Sequence, residues 1–439
     1  MLLAKLRQLE CHFTWALDDT DLTYLQHRLK NNIELAEEED RNIGWSYSNQ
    51  AFTKYMQGLL EEARDDLAKA EQHIREQHGD NYLPGQAGGD KKKFPTESPS
   101  ALHPEIYGEK GRSFLKFSRQ YYEKAKECFE KALELEPEEI EWNDGYAVAL
   151  YRTESDLTSL EESPASKQLR RVLELDPNNA YMMVLLGLKH ADYKKYQKAE
   201  ELIERAMELE PDKPYMIQYV AKYYRKKGEV EVSLSLLKRL LEKIPDSPFV
   251  HHQLALVYNY KIYSGQNGGE EADALLRLRI QHLEKAISIK PSFVYAMSDL
   301  AACYAEENNL QKAEEMFQET FKVATANNDN LHVVNLRYAD FQLYHNKSEP
   351  LAIKHYKEGL ALQKNTAEGK KCAKKLTIIA NKHISRNPHD GKAFGILGYV
   401  HEITGEKPQA IECYEKAILY DPGNEEYLNA LYDLCLSLQ

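Results

Sequence analysis

The stretch Tyr181-Met-Met-Val-Leu-Leu-Gly187, followed by Tyr196, Ala199, Ile203, Ala206 and Pro211, decides the fold. The same spacing returns in Tyr215, Ala221 and Tyr224, then Ser233, Leu237, Leu240 and Pro245. Pro177, Pro211 and Pro245 mark the beat at equal steps of 34 residues. A small residue within the first helix, a small one opening the second, two apolar ones at helical spacing and a closing proline make the tetratricopeptide pattern. A single helical pair of this kind cannot bury its apolar face and must stack on neighbours. The sequence therefore predicts an all-α tetratricopeptide-repeat superhelix, an α-solenoid whose concave or tunnel-like inner surface is suited to binding.

The beat extends in both directions. Residues 1–77 read as an N-terminal entry segment, with helical periodicity from Leu22 through Leu25, Leu29 and Ile33, and a first repeat-like pair carrying Ala51, Ala63, Leu67 and Ala70. Residues 78–105 hold Pro84-Gly85, Gly88-Gly89 and Lys91-Lys92-Lys93 and read as a flexible loop in place of a helical pair. Residues 106–262 are central repeats, with an insertion near Thr153–Ala165. Residues 263–364 are further repeats with a flexible joint at Ser264-Gly-Gln-Asn-Gly-Gly-Glu270, between helices expected at 249–262 and 275–290. Residues 365–439 are C-terminal helices, the last repeat and a closing helix.

Bulk properties narrow the function. The 439 residues carry a net charge of −13, with 42% apolar and 29% charged side chains. An acidic exterior disfavours indiscriminate nucleic-acid binding, DNA included, but leaves room for a local basic cavity. No apolar run is long enough to span a membrane and no secretory signal is evident, so neither membrane association nor export is expected. Six scattered cysteines, Cys11, Cys128, Cys303, Cys372, Cys413 and Cys435, read as reduced thiols of a cytosolic protein. There is no phosphate-binding loop, no zinc-protease motif, no paired-cysteine motif and no nucleophile elbow. The expectation is a binding protein, not an enzyme, with no cofactor and no metal.

The inward faces carry the chemistry. In such repeats the first helix of each pair lines the hollow. On the helix opening at Pro214, steps of three and four select Tyr215, Gln218, Lys222 and Arg225, flanked by Tyr219 and Lys226. The next first helix offers His252 and Gln253. Upstream, Arg112 and Lys116 share a face, Tyr122 follows, and Arg152 ends another first helix. Cations with phenols and amides suit a phosphate-bearing nucleotide end, because guanidinium and ammonium groups neutralise phosphate while tyrosines stack bases. The same tyrosines also fit ordinary repeat packing.

Several longer strings resemble one family. Cys11-His12-Phe13-Thr14-Trp15, Tyr122-Glu-Lys-Ala-Lys126 with Phe129-Glu-Lys-Ala-Leu-Glu-Leu-Glu-Pro137, and Tyr219-Val-Ala-Lys-Tyr-Tyr-Arg-Lys-Lys227 are similar to the interferon-induced proteins with tetratricopeptide repeats. So are Gly145-Tyr146-Ala147, His251-His252-Gln253 and Leu397-Gly398-Tyr399-Val400, in order along the chain. The resemblance implies a cytosolic antiviral effector that holds the 5′ end of single-stranded RNA, triphosphorylated or capped without 2′-O-methylation. Holding that end blocks viral translation. Family members are implied as further partners. The residues implied on the RNA path are Arg28, Asn32, Arg112, Lys116, Tyr122, Arg152, Tyr181, Tyr215, Gln218, Lys222, Arg225, His252 and Gln253. At Asn32, Arg112, Gln218 and Asp340 the chain departs from the family pattern. The alternative is an interaction scaffold in antiviral signalling with weak or no RNA-end binding.

Overall fold

The computed structural model describes residues 43–78, 104–117, 121–154, 159–264, 269–326 and 330–437, with Gln26 and Leu29. Among them are twenty helices and no strand, the all-α class expected. The chain divides into two compact units, Met1–Val257 and Tyr258–Gln439.

In the first unit, α1 (Ile43–Met56) pairs with α2 (Leu60–His78), α3 (Pro104–Phe117) with α4 (Tyr122–Leu135), and α5 (Ile140–Thr153) with α6 (Pro164–Leu175). The regular repeats follow: α7 (Ala180–Asp192) with α8 (Tyr196–Leu209), and α9 (Pro214–Lys227) with α10 (Val230–Lys243). The unit boundary falls within α11 (Pro248–Tyr263).

The repeat spacing works through burial. Leu169, Ile203 and Leu237 occupy one phase of three successive second helices, and all three are buried. Each contributes about 1.5–3 kcal/mol of apolar transfer. Small residues let the helices close. Phe129 on α4 lies against Gly111 of α3 and Gly145 of α5, where any Cβ would collide with its ring. Gly228 ends α9 in the left-handed region at φ 95°, which a side chain disfavours. Ser163 caps α6, its Oγ accepting from the Ser166 N–H at 2.9 Å, ahead of Pro164 in the first turn. Arg205 and Arg239 repeat one tie at 3.3 Å, each donating to the carbonyl of the proline that closes the previous repeat, Pro177 and Pro211.

In the second unit, α12 (Gly269–Ile289) packs on α13 (Val294–Glu306), which pairs with α14 (Leu310–Ala326). Then come α15 (Leu331–Tyr344), α16 (Glu349–Leu362), α17 (Ala367–Arg386), α18 (Gly391–Thr404), α19 (Lys407–Tyr420) and α20 (Glu425–Leu436). Asp340 has a local partner set: it accepts from the Tyr356 hydroxyl at 2.6 Å and lies 3.4 Å from Lys375 Nζ. The closing helix α20 buries Tyr427 and Leu434 on the last repeat and leaves Leu428, Tyr432 and Leu436 exposed.

Two details differ from the sequence expectation. Leu67 is exposed, and its neighbour Asp66 is the buried residue, 2.8 Å from Lys54 Nζ. The second helix of the 263–364 region begins at Gly269 instead of Leu275, so it takes in the last two residues of the expected joint, Gly269 and Glu270. Five of the six cysteines are described and all five are free thiols, as expected. Of the entry segment, Leu29 is described and buried. Leu22, Leu25, Ile33, the loop before Pro104 and Gly265–Gly268 lie outside the described residues.

Candidate anion-binding recess

Arg152, in the last turn of α5, is the centre of a cluster in the first unit. Its Nη1 donates to the Leu115 carbonyl at the end of α3 (2.9 Å), and its guanidinium carbon stands 5.0 Å from the centre of the Tyr122 ring. It also hydrogen-bonds the Tyr219 hydroxyl and lies near Tyr181. The rings form a connected wall. Tyr181 is 5.5 Å from Tyr215, edge to face, and 5.7 Å from Tyr219, and Tyr219 is 6.3 Å from Phe249. One turn along α9, Lys222 and Arg225 complete the cationic side, and Arg225 donates to Gln253 Oε1 at 3.3 Å.

Tyr151, Arg152, Tyr181, Tyr219 and Lys222 all keep partial solvent contact. Yet protein surrounds each on nearly every side. Side chains that are both deep and wetted line a recess. Its electrostatics follow. Burial, against the opposing Tyr219 and with the nearby Arg225 adding to it, pulls the Lys222 ammonium below its ordinary pKa. Burial also opposes the charge on Arg152, but the phenols of Tyr122, Tyr219 and Tyr181 outweigh it and keep the guanidinium ionised. Burial pushes the Tyr181 hydroxyl up, aided by Tyr219. For Tyr219, burial pushes the same way, but Arg152, the Tyr181 hydrogen bond and Lys222 together bring it below the usual phenol.

The missing partner is a carboxylate. Among the described residues neither Arg152 nor Lys222 forms a salt bridge. Neighbouring cations do: Lys189 pairs with Glu154, Lys226 with Asp192, and Lys227 with Glu200 and Glu229 at 2.6 Å. Desolvated cations are costly unless an anion joins them. The recess thus presents desolvated positive charge with aromatic faces beside it.

The expected residues fall into groups. Tyr122, Arg152, Tyr181, Lys222, Arg225 and Gln253 come together as described. Tyr215 stands 45% exposed at the edge of the aromatic wall, its hydroxyl donating to Glu210 at 2.8 Å. Gln218 is half-buried, one turn before Lys222 on α9. Lys116 is half-buried in the last turn of α3, next in sequence to the carbonyl that holds Arg152. His252 is buried beside Gln253, while His251 faces the Pro245 carbonyl at 2.9 Å. Arg112 pairs instead with Glu141 and, at 3.6 Å, with Glu109. Arg28 and Asn32 lie outside the described residues. Tyr219, read from spacing as a flank, is central, and Tyr151 and Phe249 were not singled out. Tyr219 follows Tyr215 by four, one helical turn along the same face, and that signal marks it as an inward ring.

Among the described residues no acidic, histidine and cysteine cluster is arranged to hold a metal, and no helix is long and apolar enough to cross a membrane. The tetratricopeptide-repeat family matches residues 105–139 and 391–424. The chain is 33% identical to the antiviral innate immune response effector IFIT1 of Macaca fascicularis, over 94% of both chains. It is 34% identical to human IFIT1 homolog B over 94% of this chain and 95% of that one. It is 31% identical to human interferon-induced protein with tetratricopeptide repeats 2, over 94% and 95%. Two solved structures share the fold at 30% identity, covering 96% of this chain and 100% of theirs. They are human IFIT1 dimers, one with PPP-AAAA (TM-score 0.77) and one with m7Gppp-AAAA (TM-score 0.79).

Proposed function

The chain belongs to the family of interferon-induced proteins with tetratricopeptide repeats, and on that premise we propose that it is a cytosolic antiviral effector that captures the 5′ end of single-stranded RNA. The end is a triphosphate, or a cap lacking 2′-O-methylation, and its capture withholds viral RNA from translation without any catalytic step. One observation carries this reading: Arg152 and Lys222 are desolvated beside Tyr122, Tyr181 and Tyr219 with no carboxylate to neutralise them among the described residues. Terminal phosphates supply the negative charge, and the rings supply faces for the first bases. Arg225 with Gln253 offers the next cation and amide, with Gln218, Lys116, His252 and Tyr215 around the path. The relatives solved with PPP-AAAA and m7Gppp-AAAA support the choice of ligand, and their dimeric state supports association with family members.

The test is a titration with triphosphate, capped and 5′-hydroxyl forms of one RNA. Triphosphate or capped RNA is expected to bind at least tenfold tighter than the hydroxyl form. Lys222→Glu is expected to weaken that end by roughly 10- to 100-fold, since a charge-assisted hydrogen bond contributes about 1.5–3 kcal/mol. Lys238→Glu makes the same charge change on an exposed face of α10 and should leave affinity unchanged. Equal binding of all three ends overturns the end-capture reading. No RNA binding, with family members still co-purifying, replaces it with the scaffold.

A further inference from the structure

A second recess of about 470 Å³ opens on α6, α7 and α8, lined by different residues from the first. Its floor is apolar, with Leu160 before α6, Leu186 on α7 and Leu202 on α8. Its wall carries three cations, Arg170 on α6 and Lys195 and Lys198 at the start of α8, against two carboxylates, Glu161 and Glu201. Lys195 is paired with Glu161 at 2.7 Å. Among the described residues Arg170 and Lys198 form no salt bridge. The first turn of α8 carries no acidic residue and no side-chain cap, so its N-terminal dipole adds to the positive field. His190 lines the recess, is only 9% exposed, and its Nδ1 is buried with no hydrogen-bond partner.

We propose that this recess binds a small amphipathic organic anion, with a phosphate or carboxylate head on Arg170 and Lys198 and an apolar body on Leu160, Leu186 and Leu202. Three observations meet here: an open recess of ligand size, cations without ion pairs, and an unpartnered buried imidazole. The groups facing His190 are Arg170, Lys198, Lys195 and Glu161, with Glu201 also on the wall. Burial first, and then the three cations, hold His190 below its ordinary pKa, with Glu161 opposing. An anion seated between Arg170 and Lys198 offsets those cations, so His190 becomes easier to protonate. The site shares no lining residue with the first recess.

The experiment uses the full chain with carbon-13-labelled histidine and 2-naphthyl phosphate as probe. The His190 ring signal is assigned by its loss in His190→Gln. Saturable movement of that signal is expected, with its titration midpoint rising in the bound state. Inorganic phosphate and neutral 2-naphthol should each bind at least tenfold more weakly, because each lacks one half of the ligand. Arg170→Gln with Lys198→Gln should weaken the probe at least tenfold and leave RNA-end affinity unchanged. Lys222→Glu should leave the probe's effect on His190 intact. The proposal is overturned if His190 does not respond saturably, responds equally in the double variant, or responds equally to phosphate alone.

Discussion

Asp144 on α5 shows how one buried atom sets a pH dependence. Its Oδ2 accepts from the Asn179 amide at 3.0 Å, while Oδ1 is buried with no donor. Burial, reinforced by Asp176 and Glu141, raises its pKa to about 7 from 3.8, against the Asn179 bond and Arg112. The folded state therefore keeps a proton that the unfolded chain gives up near pH 4. The resulting stability is fully present below pH 3.8 and is lost as pH rises through about 7. Asp144→Asn keeps the acceptor for Asn179 and removes the ionisation. Thermal unfolding should show the variant matching the parent near pH 4 and exceeding it at pH 8. The gain is at most a few kcal/mol, at about 1.4 per pKa unit. A variant no more stable at pH 8 contradicts the assignment. Lys222 and Arg225 were legible in the sequence because three-and-four spacing puts them on one helix face. Asp144 was not, since its cost depends on Asn179 and Asp176, more than thirty residues away.

The link from α5 to α6 breaks the repeat length, and Glu154 organises it. Its carboxylate accepts from Ser163 Oγ (2.8 Å) and from the Ala165 N–H (3.0 Å), and pairs with Lys189 of α7. Glu154 is 5% exposed and Lys189 11%. Removing one partner of such a pair leaves a buried charge alone and costs about 3–5 kcal/mol. Glu154→Ala should lower the unfolding free energy read from denaturant titration by that amount, and adding Lys189→Met should restore part of it. No recovery in the double variant would show that the helix-start bonds, and not the ion pair, hold the link. Sequence reading located the insertion from the stretched interval between prolines, but it could not find the clasp. The regular repeats were legible because small and apolar residues such as Ala199, Ile203 and Ala206 recur at fixed phase, and all three are buried. The helix start expected at Leu275 lies at Gly269, where neighbouring glycines obscured it in the sequence. Gly269 opens α12, with Glu270 and Glu271 in its first turn, where the helix dipole favours acids.

At the scale of the molecule, a chain of net charge −13 is expected to bind a polyanion. The conflict is resolved by position. Surface carboxylates act through water and salt, where interactions are largely screened beyond about 10 Å at 0.1 M salt. Arg152, Lys222 and Arg225 act at short range inside a recess that carries no carboxylate on Arg152 or Lys222 among the described residues. Salt dependence separates the two contributions. Each neutralised phosphate of a single strand contributes a slope of about −0.7 in log affinity against log salt. Three cations engaging the terminal phosphates imply a slope near −2, or roughly a twentyfold loss of affinity between 50 and 200 mM salt. RNA with a 5′-hydroxyl should show a shallower slope, because it lacks the phosphates that these groups meet. Lys222→Glu should flatten the triphosphate slope by about 0.7 or more and leave the hydroxyl slope nearly unchanged. Binding measured across salt for both ends and both proteins checks this. Equal slopes for the two ends would mean that the recess cations are not where the RNA terminus is held.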